Sequence, residues 1–429
     1  MRTARAAELD VLLQGPMNEV LLAAAYCRVV VLAKSGPLDP TLLPRLGGRL
    51  RPMLRHGRLG ARALSNILRA LAHLRQGVGE DLVGAIVSTA GMATAQDVSN
   101  NLWAAARLKH AAPRVLKVVH AMVPQLHEKA GDMTGQGLSN SLWAAAKLRD
   151  VAASDVLQML PAILPQVAKK ANKMKPQELS NSLWAAASLM DIAPEVLEMV
   201  PSLVEEIPAA GDMKCQELSN CLWAAARMQE RAPEISKIVP FIAERVSEQG
   251  GMKPQDLSNN LWAAAQLHSA ALLVVPPVLA QIPGAASEMQ PQELSNSLWA
   301  VAQLKDKAPA VLRVLPALTA TIPSRAGDMK PQEVSNCLWA VVQLKDRAPR
   351  VLRVVPSFVS TVIRTKGHLG PHELSNSLWA AAELKDVAPE VLRIIPAIVA
   401  QIPHLPRCSQ RHAGSSELLY MCFRWCRLL

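Results

Sequence analysis

Hydrophobic and polar residues along this chain follow a unit of about forty residues that recurs over most of its length. The clearest part of the unit is the string LSNxLWAAA, in which a Leu-Trp-Ala segment follows a short polar one. A weaker copy, LSNILRALAHL, has Arg69 at the tryptophan position, and a further weak copy covers residues 17–33. A repeat of this period predicts an array in which each unit packs only on its neighbours. The tryptophans of the eight strong copies are Trp103, Trp143, Trp184, Trp223, Trp262, Trp299, Trp339 and Trp379.

Each unit is expected to form two helices. In the copy around Trp184, Pro176 and Glu178 suit the first turn of a helix, and Ala193-Pro194-Glu195 opens a second one. Apolar residues recur at helical spacing in both segments. The expected buried positions are Leu179, Leu183, Ala186, Ala187 and Leu189 in the first helix, and Val196, Val200, Leu203 and Ile207 in the second.

A proline falls inside the second helix of seven units. Proline removes a backbone hydrogen bond and clashes with the preceding turn, so we expect either a kinked helix or two short helices sharing one buried face. The predicted fold is an all-α solenoid of about nine or ten helix pairs, with the second helix kinked at proline. The predicted organisation is an N-terminal helical cap with an Arg-rich stretch (1–60), the repeat solenoid (61–404) and a short basic tail (405–429). The prolines are Pro161, Pro201, Pro240, Pro276, Pro316, Pro356 and Pro396.

Composition agrees with a helical core. Half of the residues are hydrophobic and only 3% are aromatic, which favours a core of Ala, Leu and Val. No apolar run approaches the roughly 18 residues of a membrane span, so no membrane contact is expected. Seven scattered cysteines are too few for a disulfide scaffold. We expect Cys221 and Cys337 to be small packing residues, and Cys422 with Cys426 to make a poor zinc site.

The net charge of +11 resembles that of a nucleic-acid-binding protein, but it is unevenly distributed. Residues 1–75 carry a charge of +8, residues 76–404 are neutral and residues 405–429 carry +3. Between Pro40 and Arg75 there are eight arginines and no acidic residue. We interpret Arg49, Arg51 and Arg55 either as phosphate contacts or as part of a polar solenoid cap.

The first helix is predicted to display one polar stripe that includes the tryptophan. On a helical projection Gln177, Asn181, Trp184 and Ser188 share a face. The tryptophan is either a wedge between repeats or a platform on which nucleic-acid bases stack. The recurring asparagine, as in Asn181 and Asn220, is expected to join units in a hydrogen-bonded ladder.

The fourth residue after each tryptophan, here called the graded position, changes its chemistry between units while its neighbours barely change. Arg, Gln and Glu are side chains that read base edges, and some helical repeats read one base each. The alternative is a solvated site free to drift. The residues at the graded position are Arg107, Lys147, Ser188, Arg227, Gln266, Gln303, Gln343 and Glu383.

The sequence contains no Walker loop, GxGxxG, HExxH or GxSxG motif. We therefore expect neither an enzyme nor a cofactor, a metal site or a small-molecule substrate.

The string KPQELSNSLWAAAxLKD resembles the first helix of octotricopeptide (OPR) repeats and the helical repeats of RAP-domain and mitochondrial RNA-editing substrate-binding proteins. The resemblance covers about residues 60–404, and Pro176 to Leu179 and Leu183 to Ala185 carry it. It implies binding of single-stranded RNA in a mitochondrion or chloroplast, controlling transcript processing, stability or translation. The residues themselves show no clear transit peptide. The alternative function is a protein-binding solenoid scaffold, because helical-pair arrays present long grooves to peptides.

Overall fold

The computed structural model describes residues 15–267, 269–364 and 369–400. These residues form helices and turns, with no β-strand among them. Two compact units are distinguished: Met1–Met213 with Glu230–Ile235, and Lys214–Gln229 with Ser236–Leu429. The predicted basic tail and the pair Cys422 and Cys426 lie outside the described residues. The boundaries predicted at residues 60 and 404 stay predictions.

In unit 1 the odd-numbered helices are the first helices of the pairs and the even-numbered ones are the second. They are α1 (Glu19–Ser35), α2 (Leu42–Arg55), α3 (Ala61–His73), α4 (Glu80–Ser88), α5 (Ala95–Leu108), α6 (Leu116–Lys129), α7 (Gly135–Leu148), α8 (Ala153–Lys170), α9 (Pro176–Leu189) and α10 (Val200–Glu206).

Unit 2 continues the same alternation. Its helices are α11 (Cys215–Met228), α12 (Val239–Ser247), α13 (Pro254–Gln266), α14 (Val275–Ala285), α15 (Pro291–Leu304), α16 (Leu315–Arg325), α17 (Pro331–Leu344), α18 (Val355–Arg364), α19 (Pro371–Leu384) and α20 (Ile395–Val399).

Neighbouring pairs pack in chain order and form two layers. Within each unit every first helix packs on the next first helix, for example α5 on α7 and α13 on α15. The second-helix layer is built in the same way, as in α6 on α8. The prediction of an all-α solenoid is confirmed, with ten helix pairs in the part of the chain that the structure describes.

The predicted buried face of the first helix is confirmed. Leu183, Ala186 and Ala187 have no exposed surface, and Leu179 is only 1% exposed. The alanines lie where first helices meet, and small side chains let helix axes approach closely. Cys337 is fully buried, and burial raises the pKa of its thiol to about 12. This confirms the interpretation of that cysteine as a packing residue.

The first helices begin at a recurring hydrogen bond. In α5 the Thr94 side chain accepts from the Asp97 N–H, and the Asp97 carboxylate accepts from the Thr94 N–H, which is a capping box. Where lysine replaces threonine, half of this box survives. The Glu178 carboxylate still accepts from the Lys175 N–H at 3.0 Å, so the first-turn acid is a cap as well as a partner of the helix dipole.

The prolines of the second helices are accommodated mainly by a break. Before α10, α12, α14, α16, α18 and α20 a six-residue 3-10 segment ends, and the proline is the second residue of the α-helix that follows. At that position no intrahelical partner for its N–H is missed, so proline costs little. Pro161 differs, since it lies inside the continuous helix α8. Two short helices on one buried face are thus the main solution.

One stretch, Ala271–Glu288, is long and apolar enough to cross a membrane by length and composition alone. This differs from the sequence expectation. In the structure the stretch belongs to an ordinary repeat. It contains the end of a 3-10 segment, helix α14 and a short 3-10 turn, and Val275, Val278 and Ile282 are buried.

A serine joins consecutive first helices. The Ser139 hydroxyl donates to the Glu178 carbonyl at 3.0 Å, and the Ser295 hydroxyl donates to the Glu333 carbonyl at 2.9 Å. Ser335 occupies the same repeat position, but its hydroxyl donates to Gln332 of its own helix. The serine before the recurring asparagine therefore supplies a bond between repeats at some interfaces and a bond within its own helix at others.

We predict that Ser295→Ala lowers the free energy of unfolding by about 1 kcal/mol, since it deletes one buried hydrogen bond between repeats. Ser335→Ala is the matched control and should have a smaller effect, because its bond stays within one helix. Urea denaturation followed by circular dichroism compares the two. Equal destabilisation would show that the inter-repeat bond has no special weight.

Candidate nucleic-acid interface

The tryptophans lie half-buried along one row of first helices, on the same stripe as the repeated Gln and Asn. In α9, Gln177 is exposed and Asn181 and Trp184 are half-buried. The predicted stripe exists, with one correction. Ser188 is only 6% exposed, because the last turn of α9 is covered, and its side chain is not part of the accessible surface.

Neighbouring tryptophans contact each other directly. The ring centroids of Trp103 and Trp143 in unit 1 are 6.3 Å apart. In unit 2 the distances from Trp223 to Trp262, Trp262 to Trp299 and Trp299 to Trp339 are 6.2, 6.3 and 6.1 Å. These distances fall in the range of direct ring contact. The geometry supports the wedge interpretation, and it leaves only the outer parts of the rings for a base to stack on.

Cations at the graded position lie over these rings. The Arg107 guanidinium is 5.0 Å from the Trp103 centroid. The Lys147 ammonium lies 5.7 Å from Trp143 and 4.5 Å from Trp184, so it bridges two repeats. Such cation–π contacts hold the charge against an apolar surface. The graded position therefore has a packing role in these units as well as a charge on the exposed face.

The basic side chains of this face crowd one another in unit 1. Burial lowers the pKa of Lys147, and the nearby Lys109 and Arg149 lower it further. Burial also lowers the pKa of Arg107, with a contribution from Arg75. Asp150 pairs with Lys109 and partly offsets this charge. The clustered basic side chains still favour anions at this face.

The sixth residue after each tryptophan, here called the bridging position, reaches forward to the next first helix. Lys109 donates to the Lys147 carbonyl and Arg149 donates to the Ser188 carbonyl. In unit 2 the Gln229 amide donates to the Gln266 carbonyl at 3.2 Å. The receiving carbonyls lie in the last turn of the helix, where no intrahelical N–H reaches them and the dipole is negative. The bridging position is a helix cap supplied by the preceding repeat.

This bridge explains part of the variation at the graded position. Lys345 donates to the Glu383 carbonyl at 2.8 Å, and its ammonium lies 3.7 Å from the Glu383 carboxylate. Lys305 donates to the Gln343 side chain at 3.4 Å. In both cases the residue at the graded position is contacted by a lysine of the previous repeat. Gln266 and Gln303 are exposed.

The N-terminal arginines do not join this face. Arg49, Arg51 and Arg55 lie on α2, which packs on α1 and α4 and belongs to the second-helix layer. All three are exposed. Whether they contact phosphate or belong to a polar cap stays a prediction, and their helix lies outside the first-helix layer. The basic residues that do lie in the first-helix layer at this end of the repeats belong to helix α3.

Those residues, Arg62 and Arg69, replace the repeat's Gln and Trp on α3. Aligning the weak copy with the strong ones identifies both of them, whereas counting arginines does not. His73 occupies the graded position of α3, and its ring centroid lies 4.6 Å from that of Trp103. The row of ring contacts thus ends in a histidine beside two arginines.

The roles of Asn181 and Asn220 in a ladder stay predictions, and both side chains are half-buried. Among the described residues, no cluster of His, Cys, Asp and Glu has the arrangement of a metal site. What the face offers chemically is hydrogen-bonding amides, ring surface and positive charge.

No protein-family model matches this chain, and no curated protein matches it. Among solved structures the chain is similar to one titled "Homology model of the full-length AP-3 complex in an intermediate open conformation". The identity is 9% and the TM-score is 0.32, over 98% of this chain and 80% of that one. At this level the similarity carries no argument about function.

We predict that Lys345→Met lowers the free energy of unfolding by about 1 kcal/mol, because it removes a charged cap from the C-terminal turn of α19. Lys307→Met removes the same charge from an exposed side chain and should change stability little. Urea denaturation measures both. An equal loss in the two variants would mean that charge, rather than capping, is responsible.

We predict that His73 titrates below its ordinary pKa of 6.5. Burial lowers this pKa, and Arg69, Arg107 and Lys34 add to the effect. Because the unfolded chain then takes up the proton at higher pH than the folded chain, His73 reduces stability as the pH falls below about 6.5. Titration by NMR should show a midpoint that Arg107→Gln raises. A midpoint at or above 6.5 would contradict the described surroundings of His73.

Proposed function

We propose that this protein binds single-stranded RNA along the exposed face of its first helices, with unit 1 contributing most of the phosphate contacts. The supporting observation is the contrast in charge along the graded position. On α5 and α7 of unit 1 it holds Arg107 and Lys147, and on α11 of unit 2 it holds Arg227, whereas on α13, α15 and α17 it holds glutamine. Phosphate neutralisation dominates the affinity of such proteins and is sequence-independent.

Each first helix would offer three kinds of contact to one stretch of RNA. The outer surface of the tryptophan suits stacking of a base, and the exposed Gln and half-buried Asn suit hydrogen bonds to base edges. Gln266 and Gln303 are the graded residues best placed for such reading, since both are exposed. Gln343 and Glu383 are weaker candidates, because Lys305 and Lys345 already contact them.

The resemblance to OPR repeats suggests where this activity would be used. We propose an organellar role in transcript processing, stability or translation. No catalytic step is included, because the face carries groups for binding rather than for chemistry. A test of this part is to locate the tagged protein in its native cell and sequence the RNA crosslinked to it.

A protein-binding scaffold is the second candidate function, and one observation favours it. An apolar groove of about 580 Å³ lies on the second-helix layer of unit 2, between α16 and the segment Pro349–Val354. Leu312, Leu315 and Val351 are among the residues that line it. A partner in this groove should remain associated after nuclease treatment, whereas RNA-mediated association should not.

We predict that Arg107→Gln with Lys147→Gln weakens RNA binding and flattens its salt dependence. Each lost phosphate contact should reduce the slope of log affinity against log salt by about 0.7, or about 1.4 for the pair. Fluorescence anisotropy with a labelled random 20-nucleotide single strand measures both quantities.

Arg350→Gln with Arg353→Gln is the control pair, because it removes the same charge from exposed residues on the second-helix layer. It should leave the slope nearly unchanged. If the unaltered protein retains no RNA at moderate salt, the proposal fails. If both pairs have equal effects, binding follows net charge and is not located on the first-helix face.

A further inference from the structure

Three departures from the repeat pattern meet in one place in unit 1. Arg62 stands where the repeat has glutamine, and Arg69 stands where it has tryptophan. Gly137 stands where the other seven tryptophan-bearing helices have Asp or Glu. All three changes make the local charge more positive, and they come from two helices, α3 and α7, that are not consecutive.

The three residues line a common pocket. It has a volume of about 480 Å³ and lies against the exposed ends of α3, α5 and α7. Arg62 is exposed and Arg69 is half-buried. Within the part of the chain that the structure describes, neither guanidinium forms an ion pair or a hydrogen bond. Both are therefore available to a ligand, and an arginine fork matches the oxygens of a phosphate.

Amide side chains make up much of the remaining lining. Gln96, Gln136 and Asn140 line the pocket, as does Asn100. Asn100 is only 6% exposed, and its side-chain amide can both donate and accept hydrogen bonds. This amide lines the same pocket as the two arginines.

The nearby carboxylates do not cancel this charge. Asp97 is buried, and its carboxylate accepts from the Thr94 N–H and hydroxyl. Asp132 also lines the pocket and is exposed, so one free carboxylate faces two arginines. The pocket also includes the first turns of α5 and α7. In α7 the usual first-turn acid is absent, which leaves the positive end of the helix dipole without its carboxylate.

We propose that this pocket anchors a phosphate of the bound single-stranded RNA, with Arg62 and Arg69 on the phosphate oxygens and Asn100 on the sugar or base. This inference rests on the proposed function and deepens it, because it gives the RNA a fixed starting point at α3. From there the RNA strand would run past the graded positions of successive first helices, beginning with Arg107 and Lys147. His73 and Trp103 offer the first ring surfaces next to the anchor.

The test uses the full chain and returns the pocket to the protein's own repeat pattern. Arg62→Gln with Arg69→Trp restores the residues found in the other units, and Gly137→Glu restores the first-turn acid. A side chain at position 137 meets Met133 at ordinary contact distance, 3.4 Å, so the fold should tolerate it. Arg350→Gln with Arg353→Gln removes two charges from exposed residues on the second-helix layer and is the matched control.

Anisotropy with a labelled 12-nucleotide uridine strand at 50 and 200 mM salt measures binding, and circular dichroism checks folding. We expect a roughly tenfold loss of affinity at the lower salt for Arg62→Gln with Arg69→Trp, and a smaller loss for Gly137→Glu. The control pair should bind nearly as well as the unaltered protein. Inorganic phosphate, added as a competitor, should displace the strand more easily from the unaltered protein than from the variant.

The outcomes separate the two proposals. If the unaltered protein binds RNA but restoring the pattern changes nothing, the anchor is wrong and the proposed function stands. If the control pair loses as much affinity as the pocket pair, the anchor is also wrong. If the unaltered protein binds no RNA, both fail. A pocket that then binds inorganic phosphate, with binding lost in the variant, belongs to a different phosphorylated ligand, which overturns the RNA anchor.

Discussion

The close contact between consecutive first helices is the constraint on which the rest of the structure depends. A helix pair of forty residues cannot bury its own apolar face, so each unit is stable only against a neighbour. A run of alanines in most first helices allows the close approach, and leucines on either side fill the interface. Close approach also brings the polar ends of adjacent helices together. The serine bond and the bridging position both join groups that this spacing places within reach.

The same spacing determines what the exposed face can display. With first helices side by side, equivalent tryptophans contact each other, and the residue one turn later lies over a ring or beside the previous repeat's bridging residue. At two interfaces in unit 2 a bridging lysine contacts an acceptor at the next graded position, as Lys345 and Glu383 show. Arg107 and Lys147 instead lie over rings. Variation at the graded position therefore includes coupled pairs and is not wholly a code for bases.

The sequence was sufficient to predict the architecture. It was not sufficient to predict the details that depend on contacts with the adjacent repeat. Periodicity predicted the helix pairs, the buried face around Leu183 and the polar stripe with Trp184, because these depend on spacing within one helix. It did not predict that Ser188 would be buried or that Lys109 would cap the next helix, since both depend on the adjacent repeat. Nor did charge density show that the arginines of α2 belong to the second-helix layer, since it does not record which helix faces which surface. The break before Pro201 was one of two alternatives that local rules left open.

A repeat array offers a way to separate packing from function. Residues that recur in the repeats, such as Leu183, are those that the interface between neighbouring units requires. A residue that departs from the repeat pattern without disturbing this interface is not explained by packing. Arg62, Arg69 and Gly137 are such departures: they line one pocket on the first helices, and the repeat's leucines beside them are kept. Unrelated drift would scatter charge changes of both signs over many units. Three changes of one sign around a single pocket instead favour a surface with a ligand of its own.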